Sequence, residues 1–128
     1  MSLVLRLLHG ELAIFQLPPD AASLPWLSFS ARPLVSVTRT AHELSVVCPL
    51  SEVPDGMACE PGWRAFVVEG KQDFSAVGIL SSILSPLAGA GISIFSISTF
   101  DTDYILVRIE VLEKARTVLR KHFQLLEA

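Results

Sequence analysis

Between Asp73 and Asp101 the chain carries no charged residue. A neutral run of that length is enough to cross a membrane, so its reading decides what kind of molecule this is. The run holds seven serines, Pro86 and the breaker Gly89-Ala90-Gly91. These residues divide it into a helix and a following strand, not one continuous span. Its apolarity then reflects burial of both pieces in a protein core. Composition agrees: over 128 residues, 51% are apolar, 18% are charged and the net charge is −3. Disorder, which needs low hydrophobicity and high net charge, is excluded. A nucleic-acid partner is not expected, because no basic excess is present to replace phosphate counterions. A chain of this length buries about two-thirds of its unfolded surface, so it holds a core without disulfide or metal.

The N-terminal segment Met-Ser-Leu-Val-Leu-Arg-Leu-Leu-His-Gly lacks the basic start and cleavage site of a secretory signal. Cys48 and Cys59 are too few for a disulfide framework, and His9, His42 and His122 show no zinc-site spacing. The expectation is a cytoplasmic protein with reduced thiols, no metal and no cofactor.

Leu3–Leu8 and Glu11–Leu17 read as short strands around the turn pair His9-Gly10. Asp20–Leu27 reads as a short helix capped by Asp20 and limited by Pro25. Leu34–Thr40 and Glu43–Cys48 make a hairpin turning at Ala41-His42. Ser51–Gly62, with its acidic residues, two prolines and two glycines, has linker composition and marks the expected boundary between units 1–62 and 63–128. Beyond it come a strand at Arg64–Glu69, a helix at Ser75–Gly89, and a hairpin of Ile92–Thr99 with Thr102–Ile109. Leu112–Leu126 reads as an amphipathic helix, with Leu112, Ala115, Val118, Leu119, Phe123 and Leu126 on one stripe. The halves look related. A shift of 60 residues sets Ser36-Val37-Thr38 on Ser96-Ile97-Ser98, Glu43-Leu44 on Asp103-Tyr104, and Val46-Val47 on Leu106-Val107.

A more specific signal runs from Gly78 to Thr99. A glycine opens a helix, Leu87-Ala88-Gly89-Ala90-Gly91-Ile92 closes it, and an apolar strand ends in Ser98-Thr99. This resembles the central motif of ACT domains, the small amino-acid-binding regulatory domains of aspartokinases and related enzymes. The continuation to Arg108 is similar to bacterial stand-alone tandem ACT proteins and to cytosolic arginine sensors of the CASTOR type. The likeness is strong over residues 63–125 and weaker over Phe29–Pro49. Pro86 departs from the pattern, in which alanine is frequent, and puts the helix geometry in question. The resemblance implies an α+β fold of two tandem ACT-like (ferredoxin-like, βαββαβ) units. Each would be an antiparallel sheet covered by helices on one face.

It also implies a ligand site at an interface between ACT units, built from the loop before the first helix and the Ser98–Asp103 segment. The residues concerned are Asp73, Phe74, Ser75, Val77, Gly78, Ser98, Thr99, Asp101, Thr102 and Asp103. Their chemistry suits a free amino acid. A helix start offers backbone N–H groups and partial positive charge to a carboxylate. Gly78 permits close approach, the aspartates can meet an ammonium group, and the hydroxyls supply neutral hydrogen bonds. Structural roles stand beside these. Asp73 or Ser75 can cap the helix, Asp101 and Thr102 suit a turn, and Gly78 suits close packing. Asp103 is the strongest ligand candidate because Glu43 matches it in the 60-residue shift, although a turn-stabilising role competes. Tyr104 and Phe100 read as packing residues.

Catalysis finds no support: there is no Gly-x-Ser-x-Gly elbow, no phosphate-cradling glycine loop, and no histidine tied to a nucleophile. Cys48 reads as an inert core thiol. The expected function is a non-catalytic, homodimeric amino-acid sensor that regulates an unidentified protein. The alternative is a protein-interaction or assembly module that has the fold without the ligand.

Overall fold

The computed structural model describes residues 3–22, 24–70 and 77–127. In chain order the elements are β1 (Val4–Leu7), β2 (Leu12–Leu17), β3 (Ser36–Arg39), β4 (Leu44–Pro49), β5 (Glu60–Val68), α1 (Ile79–Gly89), β6 (Phe95–Ser98), β7 (Asp103–Arg108), α2 (Leu112–Arg120) and β8 (Gln124–Glu127). The class is α+β, as expected. Among the described residues no helix is long and apolar enough to cross a membrane. The charge-free run instead holds α1 and β6.

The chain divides into two compact units, Gly10–Trp63 and Met1–His9 with Arg64–Ala128. The division differs from the expected 1–62 and 63–128 in one respect. β1 does not form a hairpin with β2. It pairs antiparallel with β5 (Leu5 opposite Val68, Leu7 opposite Phe66) and parallel with β8 (Val4 opposite Gln124). The expected linker also ends early, because β5 begins at Glu60. Glu60 and Trp63 pair with Ile14 and Leu12 of β2, and one extra β5 residue bulges between these pairs. Gly62, with φ +84°, sits in that bulge and donates its N–H to Glu11 Oε2 at 2.9 Å.

The larger unit runs β5-α1-β6-β7-α2-β8, a complete βαββαβ order, with β1 added between β5 and β8. Leu5, Leu7, Phe66, Val68, Ile105 and Val107 form one core with Ile83 and Leu87 of α1 and Leu112, Ala115 and Leu119 of α2. Both helices therefore cover the same face of the sheet. Each of the Leu, Ile, Val and Phe side chains, where fully buried, contributes roughly 1.5–3 kcal/mol.

α1 continues through Pro86 to Gly89. It closes as the glycines predict: Gly91 takes φ +75°, its N–H bonds Ala88 O at 2.9 Å, and Ile92 N–H bonds Leu87 O at 3.0 Å. That pair of bonds is a Schellman motif, and buried Ile92 supplies its apolar contact.

The second helix is shorter than expected. It stops at Arg120, and Lys121 and His122 turn the chain through bonds to Val118 O and Leu119 O. Residues 124–127 then extend as β8 and give β1 its second partner. Glu127 receives Arg116 at 3.0 Å and Arg120 at 3.1 Å, which ties the strand back to the helix.

The smaller unit has strand order β3-β4-β2-β5, using the start of β5. No α-helix occurs among its described residues. The helix expected at Asp20–Leu27 is replaced by isolated turns, closed by Ala21 N–H to Pro18 O and Leu27 N–H to Leu24 O. So short a stretch is a marginal helix in any case, and Pro25 deprives it of an amide. Its apolar residues still cover the sheet. Leu27 packs with Phe15, Leu44, Val46 and Cys48, and the Phe15 and Trp26 rings lie 5.5 Å apart.

Candidate functional site

The hairpins β3–β4 and β6–β7 repeat in detail, at an offset of 59 residues, not 60. Arg39 pairs with Leu44, and Ser98 pairs with Asp103, across four-residue turns. In the first turn Thr40 N–H bonds Glu43 O at 2.8 Å, and Glu43 N–H bonds Thr40 Oγ1 at 3.1 Å. In the second, Thr99 N–H bonds Thr102 O at 2.8 Å, and Thr102 N–H bonds Thr99 Oγ1 at 3.2 Å. A 3₁₀ turn follows each hairpin, at Leu50–Glu52 and Ile109–Val111. Glu43 therefore corresponds to Thr102, and Asp103 corresponds to Leu44. The match of Glu43 to Asp103 is overturned, and with it the repeat argument for Asp103.

The turn Thr99–Thr102 stands at the carboxyl end of β5, because Thr102 Oγ1 donates to Val68 O at 2.8 Å. Across the base of the turn Ser98 Oγ donates to Asp103 Oδ1 at 2.5 Å. The structure thus brings Ser98, Thr99, Thr102 and Asp103 together, with Asp101 exposed at the tip. Through its bond to Ser98, Asp103 stabilises the hairpin. Phe100, expected to pack, is 75% exposed. Its place at the tip of a turn was the available signal.

From the same end of β5 the chain passes to α1. The helix begins at Ile79, later than the Ser75 expected, and its N-cap is Gly78 in the left-handed region at φ +80°. Ser82 N–H to Gly78 O, at 3.0 Å, is the first intrahelical bond. The amides of Ile79, Leu80 and Ser81 precede it, and no side chain of a described residue caps the helix here. These are the donors a helix start leaves for an anion. Val77 beside them is 96% exposed. Asp73, Phe74 and Ser75 lie outside the described residues.

Other reactive groups belong to other elements of the chain. Cys48 is buried, and its thiol is pushed up to about 11 from an ordinary 9.0. Burial is the main cause, with Glu52 and Cys59 adding repulsion. Such a thiol is a poor nucleophile. His9, His42 and His122 are each exposed at a turn. Among the described residues no group of three or more His, Cys, Asp or Glu could hold a metal ion.

Comparison with known proteins agrees with this architecture. A structure of an Agobacterium tumefaciens protein, determined by X-ray crystallography, is similar at 37% identity and a TM-score of 0.90, covering 100% of this chain and 95% of that one. A Vibrio cholerae protein of unknown function, described as a possible transport protein, is 21% identical with a TM-score of 0.74, over 94% of this chain and 89% of its own. The structure of aspartokinase alpha and beta subunits shares the fold at 19% identity and a TM-score of 0.64, over 94% and 97% of the two chains. Comparison with functionally curated proteins gives no match. The family model of the ACT domain matches residues 58–121, half of the chain. ACT domains are regulatory and generally bind amino acids, and this chain belongs to the ACT-domain family.

Proposed function

We propose that the protein binds a free amino acid and transmits its presence as a regulatory signal, without catalysing a reaction on it. The observation that carries this reading is the start of α1. A left-handed glycine leaves the amides of Ile79, Leu80 and Ser81 without a side-chain cap among the described residues. A carboxylate there completes three orphan donors and meets the positive end of the helix dipole. Asp101 and Asp103 supply negative charge for the ammonium group, while Ser98, Thr99 and Thr102 supply hydroxyls. Asp73, Phe74, Ser75, Val77 and Gly78 complete the proposed set. The likeness to aspartokinase subunits supports a regulatory output through a partner protein. A homodimer fits the reading, because β6 pairs only with β7 among the described residues and so presents an open edge. The reading places the protein in the cytoplasm, where free amino acids and reduced thiols occur together.

A second reading is favoured by two observations: Val77 and Phe100 expose apolar side chains, and Asp103 already has Ser98 as a partner. On that reading the same end of the unit docks protein, and the module serves assembly. A thermal-shift series over the twenty amino acids separates the two. A ligand at a hundred times its Kd stabilises by about 2.7 kcal/mol, so one or a few amino acids raise the melting temperature and their carboxamides do not. If none does, while sedimentation shows self-association through this surface, the assembly reading replaces the sensor reading.

A further inference from the structure

The smaller unit contains a cavity of about 390 Å³, and all of its lining residues belong to that unit. This is within the range of small-molecule pockets, toward its lower end. Its origin is the loop that stands where a helix was expected. A succession of turns covers the sheet less completely than a helix, and the gap lies between the loop and the hairpin β3–β4. Ala22, Leu24, Pro25 and Phe29 form the loop wall; Val37 and Leu44 form the hairpin wall. Phe29 is 70% exposed although it lines the cavity.

The loop is pinned on both sides of the gap. Leu27 is buried, Trp26 rests against Phe15, and Ser28 N–H donates to Glu52 Oε1 at 2.9 Å. At the other side Arg39 donates to Pro19 O and, at 2.5 Å, to Ala21 O. Arg39 is the one charged residue of the lining. A guanidinium has five N–H donors, and these two bonds leave others free. Both acceptors are neutral carbonyls, and Arg39 forms no ion pair among the described residues. Its positive charge at the rim of an apolar cavity therefore lacks a counterion among them.

We propose that this cavity is a second ligand site, for an apolar molecule carrying a single carboxylate. The carboxylate meets Arg39 and the apolar body enters between Phe29, Val37 and Leu44. Bidentate pairing with carboxylate is what a planar guanidinium does best. The site is independent of the one proposed at α1, and its hairpin contributes a cation where the other contributes a carboxylate: Arg39 and Leu44 stand where the other hairpin has Ser98 and Asp103.

The test is an amide-resolved NMR titration of the full chain with phenylacetate, phenylacetamide and phenethylamine as probes. Phenylacetate is expected to give saturable shifts at Phe29, Val37, Arg39 and Leu44. The neutral amide should bind about tenfold more weakly or less, and the amine should not bind there. Because Arg39 also holds the loop, the charge test relies on the probes and not on its removal. Val37→Trp, at a partly exposed wall position, fills the cavity, keeps the Arg39 bonds and should abolish the shifts. Equal binding of acid and amide overturns the proposal. So does absence of saturable shifts at millimolar phenylacetate, or shifts gathered at Gly78 and Ser98–Asp103, which would assign the probe to the α1 site. Retained binding in Val37→Trp overturns it as well.

Discussion

The hairpins β3–β4 and β6–β7 share turn length, turn hydrogen bonds and the 3₁₀ turn that follows, yet their pairs at the turn differ in kind. In one, Arg39 faces Leu44, which is buried beneath a loop. In the other, Ser98 faces Asp103 and bonds to it near solvent. The backbone conformation is thus set by the threonine-anchored turn, and the residues beside it are left to specify chemistry. One scaffold position holds apolar surface with a cationic rim. Its counterpart holds a carboxylate.

Exchanging the buried and the solvated member of this comparison should give the largest effect. Leu44 is 3% exposed and packs with Phe15, Val46 and Cys48. Leu44→Asp removes that packing and buries a carboxylate, at a cost of about 3–5 kcal/mol. The reciprocal Asp103→Leu loses one hydrogen bond, about 1 kcal/mol. Denaturant unfolding of both variants measures the contrast. Similar costs would show that the two environments do not differ as described.

Why a one-residue error arises in relating the hairpins is visible in β4. Val46, Val47, Cys48 and Pro49 are all buried, so the strand lacks the in–out alternation that fixes register. Shifts of 59 and 60 both set valines on apolar residues. The helix stop at Gly91 is legible because a left-handed cap needs glycine, a local requirement. The place of β1 is not, since its partners lie some sixty and 120 residues away and no local pattern names them. β8 reads as helix because Phe123 and Leu126 continue the stripe of α2, and periodicity alone does not show where a strand takes over. At the site, Gly78 and the hydroxyl-rich turn are legible from residue type. Exposure of Phe100 is legible only from its place at the turn tip, a signal that its apolar character outweighs.

The offset of 59 also sets Cys48 opposite Val107, and both are buried. This yields a pH contrast. The Cys48 thiol is raised from 9.0 to about 11, so the folded state retains a proton that the unfolded chain releases first. Stability from this group is fully present below pH 9 and is lost as pH rises toward about 11, at most roughly 2–3 kcal/mol. Cys48→Val, which copies the other unit, should remove that alkaline loss with little change at neutral pH. An unchanged alkaline profile would assign the loss to other groups.

A smaller effect is expected from removing only the charge of Asp103. The side-chain amide introduced by Asp103→Asn keeps an oxygen for Ser98, so the melting temperature should hold. Affinity for the amino acid found by thermal shift should fall about ten- to a hundredfold, the value of a charge-assisted bond. Unchanged affinity would restrict Asp103 to hairpin stability. The comparison with Leu44 would then concern folding alone.

The smallest effect tests whether the turns are energetically equivalent. Thr40 Oγ1 accepts N–H bonds from His42 and Glu43, both at 3.1 Å, and donates a longer bond to Glu43 O at 3.4 Å. Thr99 Oγ1 accepts one, from Thr102 at 3.2 Å, and donates to Thr102 O at 3.1 Å. These groups are exposed, and water replaces much of what a variant loses, so each bond is worth about 0.5 kcal/mol or less. Thr40→Val should therefore cost slightly more than Thr99→Val, and both should stay near 1 kcal/mol in denaturant unfolding. Valine matches threonine in shape and strand preference, which confines the change to the hydroxyl. The two turns share no hydrogen-bond partner, so the double variant should lose the sum to within about 0.5 kcal/mol. A Thr99→Val cost well above that of Thr40→Val would mean that the second turn is held by more than its own bonds, with the Thr102–Val68 anchor as the first place to look.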